Sequence, residues 1–325
     1  MKARPVTTQL SAILYAPNGL ENVRRTIYHL QTQIGPRIEL ILVVPRGSHP
    51  GEVVFQPLTL QVLEVEPGIS SALACSKAVR LASAPVIVFT EDHAFPEPGW
   101  AEMLTEAHEG DWYAVGPSVK NPNSQSLVSR ADMLMNFLDQ LQNPTGPSST
   151  LMGHNTSYKK DVLASMTDDE LVRMMRCEVL VHRQWGEQRC LHLAEACVQH
   201  VNVSKILPFL LHKIKGGVVF GGERCRGWPT WKRLVYILGA WAIPFLRIFK
   251  ISRSLSALPT DQRSHYVACS GWLILALILH ACGELLGYLG GPDLAEAFYQ
   301  SYSQFEQRRW EMVRKADLTL RDVPI

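Results

Sequence analysis

Two acids and an imidazole, Glu91, Asp92 and His93, stand in a row just after the apolar run 86–89 and Thr90, and the chain then turns on Pro96, Pro98 and Gly99. Alternate side chains of an extended strand share a face. Glu91 and His93 therefore point to one side and Asp92 to the other, unless the turn begins there. One oxygen donor and one nitrogen donor two residues apart can meet on a single divalent cation. A cation at that place can neutralise a diphosphate and help a nucleotide leave. Taken alone, an acid-x-histidine triplet is more often a solvated strand end, so its meaning depends on the elements around it.

Those elements alternate. "LSAILYA", residues 10–16, reads as a buried strand closed by the turn Pro17-Asn18-Gly19. Val23, Ile27, Leu30 and Ile34 follow at helical spacing. "IELILVV" reads as a second buried strand stopped by Pro45, "LQVLEVE" as an alternating third, residues 70–83 as a helix, and "PVIVF" as the strand that ends at Glu91. Helices are expected over 99–109 and 130–142, a strand at "WYAVGPSV", a flexible loop at "NPTGPSST", a polar helical region over 167–186, and a strand pair or strand and turn at "CLHLAEACVQHVNV". This order implies an α/β fold with a mostly parallel central sheet and helices on both faces. Ligands of such sheets bind at the carboxyl ends of the strands, which is where Glu91, Asp92 and His93 fall.

The bulk composition narrows the function classes. In 325 residues the net charge is only +2, which does not suggest a general nucleic-acid binder. The seven cysteines form no C-x-x-C pair and are odd in number, which argues against a disulfide framework or a zinc cage and for core residues in a reducing compartment. "MKARPVTTQL" lacks the apolar core of a signal peptide, so a cytoplasmic catalytic part is expected. Charge is unevenly spread. Between Lys205 and Arg253 the bases include Lys213, Lys215, Arg224, Arg226, Lys232, Arg233, Arg247 and Lys250, with Glu223 as the sole acid. Residues 234–249 and 266–279 are strongly apolar and are flanked by Trp228, Trp231, Lys232, Arg233, Lys250 and Arg253, the pattern of an interfacial anchor. Each pure apolar run is shorter than the ~20 residues of a full crossing. Association with the cytoplasmic face of a membrane is expected, whether by spanning, re-entering or lying flat. A pair of buried core helices is the alternative. Residues 296–315 read as a charged amphipathic helix.

With these motifs in order, the chain resembles the family 2 glycosyltransferases, whose catalytic domain has the GT-A fold. "LSAILYAPNGLENVRRTIYHLQTQ" is similar to their opening strand, turn and helix, and "IELILVV" to their second strand. "APVIVFTEDHAFPEPGW" is similar to the strand bearing their Asp-x-Asp motif, and "LMGHNTSYKKDVL" to their Gly-x-Asn-x-x-Tyr/Phe acceptor-side segment. Glu178 falls where that family keeps its base. "QHVNV" and the basic "HKIKGGVVFGGERCRGW" resemble a late histidine and a closing loop, and "ACGELLGYLGG" is similar to the membrane-associated tail of some bacterial members. The resemblance covers roughly the first 230 residues. It implies a catalytic domain over 1–228 and a C-terminal helical, membrane-associated region over 229–325.

The resemblance also implies roles. Glu91 and His93 take the outer positions of Asp-x-Asp. His93 would touch a divalent metal, Mn²⁺ or Mg²⁺, while Glu91 and Asp92 would face the sugar or ribose of a nucleotide-diphosphate donor. His200 would complete the metal shell. Ala16, Pro17 and Asn18 would line the nucleotide, and Gly153, His154 and Asn155 would border sugar and acceptor. Glu178 would be the general base of an inverting transfer to a hydroxyl, with a lipid-linked or envelope glycan as acceptor. Arg224 and Arg226 would close over the diphosphate or, alternatively, meet anionic lipid. The family usually places a base-reading acid after its second strand. This chain has Pro45 and Arg46 there, with Glu64 or Glu66 as replacements. Two other classes remain. One is a nucleotidyltransferase, against which the single glycine of "YAPNGLENVRR" counts. The other is a degenerate, non-catalytic membrane scaffold, against which Glu178, Asn155 and His200 together count.

Overall fold

The computed structural model describes residues 8–48, 55–141, 145–151, 153, 155–188, 190–256, 258 and 260–323. Among the described residues there are nine strands: β1 (Leu10–Tyr15), β2 (Ile38–Pro45), β3 (Thr59–Val65), β4 (Val86–Thr90), β5 (Ala94–Pro96), β6 (Ala114–Lys120), β7 (Gly146–Ser148), β8 (Ser157–Lys159) and β9 (Leu191–His200). The α-helices are α1 (Arg24–Gln31), α2 (Ser71–Val79), α3 (Trp100–Ala107), α4 (Leu127–Leu141), α5 (Lys160–Ala164), α6 (Asp168–Arg176), α7 (Glu178–Glu187), α8 (Ile206–Arg224), α9 (Thr230–Gly239), α10 (Ile243–Ser256), α11 (Thr260–Val267) and α12 (Ser270–Glu306).

The first of two compact units holds residues up to Lys120, Asn143–His200 and Thr319–Ile325. Its sheet runs β3-β2-β1-β4-β8-β6-β9-β5, with β7 paired to β9. The long pairings, β2 with β3, β1 with β2, β1 with β4 and β6 with β9, are parallel. The short pairings of β8, β5 and β7 are antiparallel. This is the mixed α/β architecture expected from the sequence. The central strands read as continuous apolar runs because both sheet faces are covered. On one face Leu10, Ala12, Leu14, Leu40 and Leu42 pack with Ile27, Leu30, Trp100 and Leu104, and on the other Ile13, Ile41, Val43 and Ile87 pack with Ala74, Ala78, Tyr158 and Trp185.

The second unit comprises Asn121–Gln142 and Val201–Leu318. Compactness thus divides the chain at His200/Val201 rather than at 228/229, and it assigns α4 to the helical unit. The reason is packing. Val128, Ala131, Leu134 and Leu138 of α4 share a core with Phe209 of α8 and Leu273, Ala276 and Leu277 of α12. Buried Asp132 of α4 is ion-paired with buried Lys213 of α8. The stretch expected to be a closing loop, "HKIKGGVVFGGERCRGW", is mostly helix α8. Its glycines serve contact rather than mobility. A Cβ on Gly217 or Gly221 would strike the backbone of α12 at His280 and Glu284, and one on Gly283 or Gly287 would strike α8 at Ile214 and Val218. Small residues four apart let two helix backbones approach this closely.

The apolar runs also grow in the structure. Two segments, Thr230–Ser256 and Ser270–Glu306, are long and apolar enough to cross a membrane by length and composition. α12 is interrupted at Gly291, whose φ of 73° lies in the left-handed region, just before Pro292.

Candidate functional site

Strand β4 ends at Thr90, and the chain turns at once, with the amide of Ala94 donating to the carbonyl of Glu91. The turn, not strand alternation, sets where the three side chains go. The Thr26 hydroxyl of α1 lies 2.8 Å from the Glu91 carbonyl and 3.2 Å from that of Ala94, and so holds the turn against the helix. β5 then pairs antiparallel with the end of β9, in a register that sets Ala94 opposite His200. That pairing delivers His200 to the turn from a distant part of the chain. Its ring meets His93 edge-on at a centroid separation of 4.7 Å.

Glu91, His93 and His200 form a three-donor cluster whose ligand atoms all lie within 4.8 Å of one another. Glu91 Oε2 is 3.7 Å from His93 Nε2 and 3.5 Å from His200 Nε2. Asp92 does not join them. Its Oδ1 accepts from His93 Nδ1 at 2.7 Å, which turns Nε2 towards Glu91 and, in the neutral ring, makes Nε2 the lone-pair nitrogen. Metal-binding histidines are commonly fixed this way through their second nitrogen.

Among the described residues, buried polar side-chain atoms without a hydrogen-bond partner include Thr90 Oγ1, His93 Nε2 and Asn155 Oδ1. All three belong to neighbours or partners of Glu91. Such groups are rare in folded proteins because each carries a desolvation penalty of ~1–3 kcal/mol. Two of them, on His93 and Asn155, belong to side chains that meet the Glu91 carboxylate, which fits a site built for a ligand. The donor set of one oxygen and two imidazole nitrogens fits a borderline divalent cation such as Mn²⁺ better than Mg²⁺, which prefers oxygen.

The segment before β8 links this cluster to Glu178. Asn155 is fully buried, has a left-handed φ of 59°, and donates from Nδ2 to Glu91 Oε2 at 3.2 Å. Gly153, two residues earlier, lies against Glu178, since a Cβ there would overlap the carboxylate. Residues two apart have Cα atoms within ~7 Å, so one short turn holds Glu91 at one end and Glu178 at the other. Cys75 of α2 senses both. Burial first, then the charges of Glu178 and Glu91, push its thiol up to about 12, although the residue as a whole keeps some exposure.

Glu178 is the first residue of α7, immediately after α6 ends at Arg176 and Cys177 breaks the helical path. A carboxylate there is favoured by the helix N-terminus. Its Oε1 accepts from the hydroxyl of Tyr158 at 3.0 Å. Tyr158 and His182, to which the same hydroxyl also turns, carry no role in the sequence reading. The available signals were the tyrosine inside "GHNTSYKK" and the four-residue spacing of Glu178 and His182 on one helix face.

The remaining candidates sort plainly. Ala16, Pro17 and Asn18 follow β1 at the same sheet edge, next to the β4 end, because β1 and β4 are parallel with Leu14 opposite Thr90. Arg46 and Glu66, at the ends of β2 and β3, form an exposed ion pair at 2.9 Å, which partners the arginine found in place of the expected acid. Arg224, expected over the diphosphate, has partners within the helical unit. It is the last residue of α8 in the helical unit, and its guanidinium donates to Tyr288 Oη at 3.0 Å and lies 3.8 Å from Glu284. His154 lies outside the described residues. All seven cysteines are free.

No family model matches the sequence, and no curated protein matches it. Among solved structures, S. aureus TarS 1-349 is similar over 93% of this chain and 92% of that one, at 13% identity and a TM-score of 0.47. TarS 1-349 in complex with UDP-GlcNAc is similar over the same shares at 14% identity and a TM-score of 0.45, and its complex with UDP at 13% and 0.46.

Proposed function

We propose that the chain is an inverting, metal-assisted glycosyltransferase that moves a sugar from a nucleotide-diphosphate donor to an acceptor hydroxyl at a membrane surface. The observation that carries this reading is that one short stretch of chain lies against Glu178 at Gly153 and bonds Glu91 of the Glu91–His93–His200 cluster through Asn155, two residues later. A bound divalent cation would supply positive charge to a departing diphosphate. The protein's own groups do the rest. Asp92 fixes the tautomer of His93, and Asn155 fixes Glu91. Glu178 takes the proton of the acceptor hydroxyl as its oxygen bonds to the anomeric carbon and the carbon–phosphate oxygen bond breaks, the electron pair leaving with the diphosphate. Attack from the side opposite the leaving group inverts the anomeric centre. The turn after β1, at Ala16, Pro17 and Asn18, borders the nucleotide.

A lipid-linked or envelope glycan is the acceptor class that suits the basic, apolar helical unit. Its bases favour the anionic cytoplasmic leaflet.

The test is a thermal-melt panel of nucleoside diphosphates with and without Mn²⁺, joined to hydrolysis of a panel of nucleotide sugars. A ligand that binds only the folded state raises Tm, by an amount equivalent to ~2.7 kcal/mol at a hundredfold excess over Kd. One nucleoside diphosphate should raise Tm in the presence of Mn²⁺, and His93→Ala should remove the Mn²⁺-dependent part. Glu178→Gln should retain that binding and lose hydrolysis by about 100-fold or more. No response to any nucleotide, with or without the metal, overturns the reading.

A further inference from the structure

Behind Glu178 lies a line of hydrogen bonds that is one proton short. His182 Nδ1 is 3.0 Å from the carbonyl oxygen of Leu151, His182 Nε2 is 3.0 Å from Tyr158 Oη, and Tyr158 Oη is 3.0 Å from Glu178 Oε1. Tyr158 and His182 are both fully buried, so no solvent relieves the count. A carbonyl oxygen only accepts, and therefore Nδ1 carries a proton. Burial, only partly opposed by the bond to Leu151, lowers the His182 pKa to about 4, so near neutral pH the ring is uncharged and Nε2 is a bare acceptor. Burial and the neighbouring Glu178 raise the Tyr158 phenol well above its ordinary value, so it keeps its proton. That one proton faces two acceptors, Nε2 and the carboxylate. While Glu178 is ionised, the two compete for it and only one can hold it.

We infer that Tyr158 and His182 are positioning residues that together set the basicity of Glu178: Tyr158 holds the carboxylate in place, and His182 competes for the only phenolic proton, withholds it from the carboxylate and so keeps Glu178 a stronger base than the tyrosine alone would leave it. The inference rests on the reading of Glu178 as the base. When Glu178 takes a proton from the acceptor hydroxyl, its Oε1 becomes a weaker acceptor and the phenolic O–H turns to His182. One proton is transferred, from acceptor to carboxylate. The phenolic proton only rotates, and no charge appears on Tyr158 or His182. The ionised state is thus the frustrated one, and proton uptake relieves it.

Among the described residues, titratable groups that face Glu178 come from three elements. Tyr158 comes from β8, His182 from one turn further along α7, and Cys75 from α2, whose thiol burial and the charges of Glu178 and Glu91 hold in the neutral form. Trp185, which tilts against His182 at 5.8 Å, closes the back of the pair and does not titrate.

Two substitutions should move Glu178 in opposite directions. His182→Leu frees the phenolic proton for the carboxylate and lowers the Glu178 pKa. Tyr158→Phe removes the donor and raises it. A hydrogen bond to a charged group contributes ~1.5 kcal/mol, which corresponds to about one pH unit in each direction. The readout is a ¹³C NMR titration of the full chain labelled at glutamate Cδ, with the Glu178 signal identified by its absence in Glu178→Gln. His182→Gln, which retains an acceptor oxygen and a donor nitrogen, should titrate within a few tenths of wild type, and it stands in if the leucine variant does not fold. Shifts of the same sign, or Tyr158→Phe without an upward shift, overturn the inference, because a purely structural pair would change stability and leave the titration alone. The base reading fails by a separate result: hydrolysis unchanged in Glu178→Gln while the Glu178 titration still responds as described.

Discussion

Gly153 sits so close to Glu178 that a methyl group at position 153 has nowhere to go except into the carboxylate. The residue's backbone is not in the left-handed region, so alanine there brings no backbone strain. Gly153→Ala therefore isolates one variable, the placement of the carboxylate. The expected result is a chain with a wild-type circular dichroism spectrum, retained Mn²⁺ binding at Glu91, His93 and His200, and hydrolysis reduced by about 100-fold, the low end of what a positioned base contributes. Hydrolysis above half of wild type in a folded alanine variant would show that Glu178 is not the acting base. The same precision applies at Asp92, which sequence alternation set on the far side of the strand. It reaches His93 because the strand stops at Thr90, and it holds the ring by Nδ1 rather than contributing a donor to the cluster.

The strands place the site at one sheet edge, and a different device anchors the opposite edge. Glu39 of β2 is buried, and it accepts from Ser11 of β1 at 2.5 Å, Gln61 of β3 at 2.6 Å, and the amide and hydroxyl of Ser83 at 2.9 Å and 2.8 Å. One carboxylate thus ties three parallel strands and the approach to β4. Burial pushes its pKa up, but these hydrogen bonds together outweigh burial and hold it below the usual value. A carboxyl depressed on folding stabilises the folded state above its unfolded pKa of ~4.3 and loses that contribution as pH falls through the lower folded value. Urea melts should show stability falling below about pH 4.3, and Glu39→Gln should be less stable at pH 7 with that part of the acid slope gone. An unchanged acid slope in the variant would remove Glu39 from the account. The element level is also where the sequence was most and least legible. Runs such as "LSAILY", "IELILVV" and "VIVFT" declare buried parallel strands because both faces are covered. The glycines of "HKIKGGVVFGGERC" suggest a loop, since nothing local reveals Gly283 and Gly287 waiting on α12. "CLHLAEACVQHVNV" did not reveal itself as one long strand, because β9 takes its partners β5, β6 and β7 from distant chain. For the same reason His200 needed a family resemblance to be noticed, and the Tyr158–His182 pair went unseen, since only tertiary packing aims both at Glu178.

At the scale of the molecule, the helical unit shows the solvent a surface that water should not favour. Trp231, Leu238, Trp241, Phe245, Leu246 and Phe249 are each 68–74% exposed along Thr230–Ser256. The opposite side of that segment is used by protein. Ile251 and Leu255 are buried, Arg247 pairs with Glu284 at 2.6 Å, and Arg233 donates to the carbonyls of Tyr288 and Leu289. For a segment with one face on protein, one apolar face open, and a 3₁₀ turn at Ala240–Ala242 before Pro244, the expected outcome is a helix pair lying in the interface rather than one surrounded by lipid. Half-burial of six such side chains at ~1 kcal/mol each gives on the order of 6 kcal/mol, whereas each base near an anionic surface adds about 1 kcal/mol and is screened by salt. The apolar contribution should therefore dominate. The full chain is expected to sediment with vesicles of phosphatidylcholine and phosphatidylglycerol at 3:1, to bind several-fold more weakly but measurably in 1 M salt, and to lose binding in the double variant Trp241→Glu, Phe249→Glu. A shallow position predicts that lipids brominated near the headgroup quench the binding-induced tryptophan fluorescence more than lipids brominated near the chain end, with Trp241→Phe reporting that residue's share. Stronger quenching from the chain end would mean that Thr230–Ser256 crosses the bilayer. A monomer–dimer equilibrium abolished by the same double variant, with no vesicle binding, would mean that the stripe meets a second copy of the chain instead of lipid.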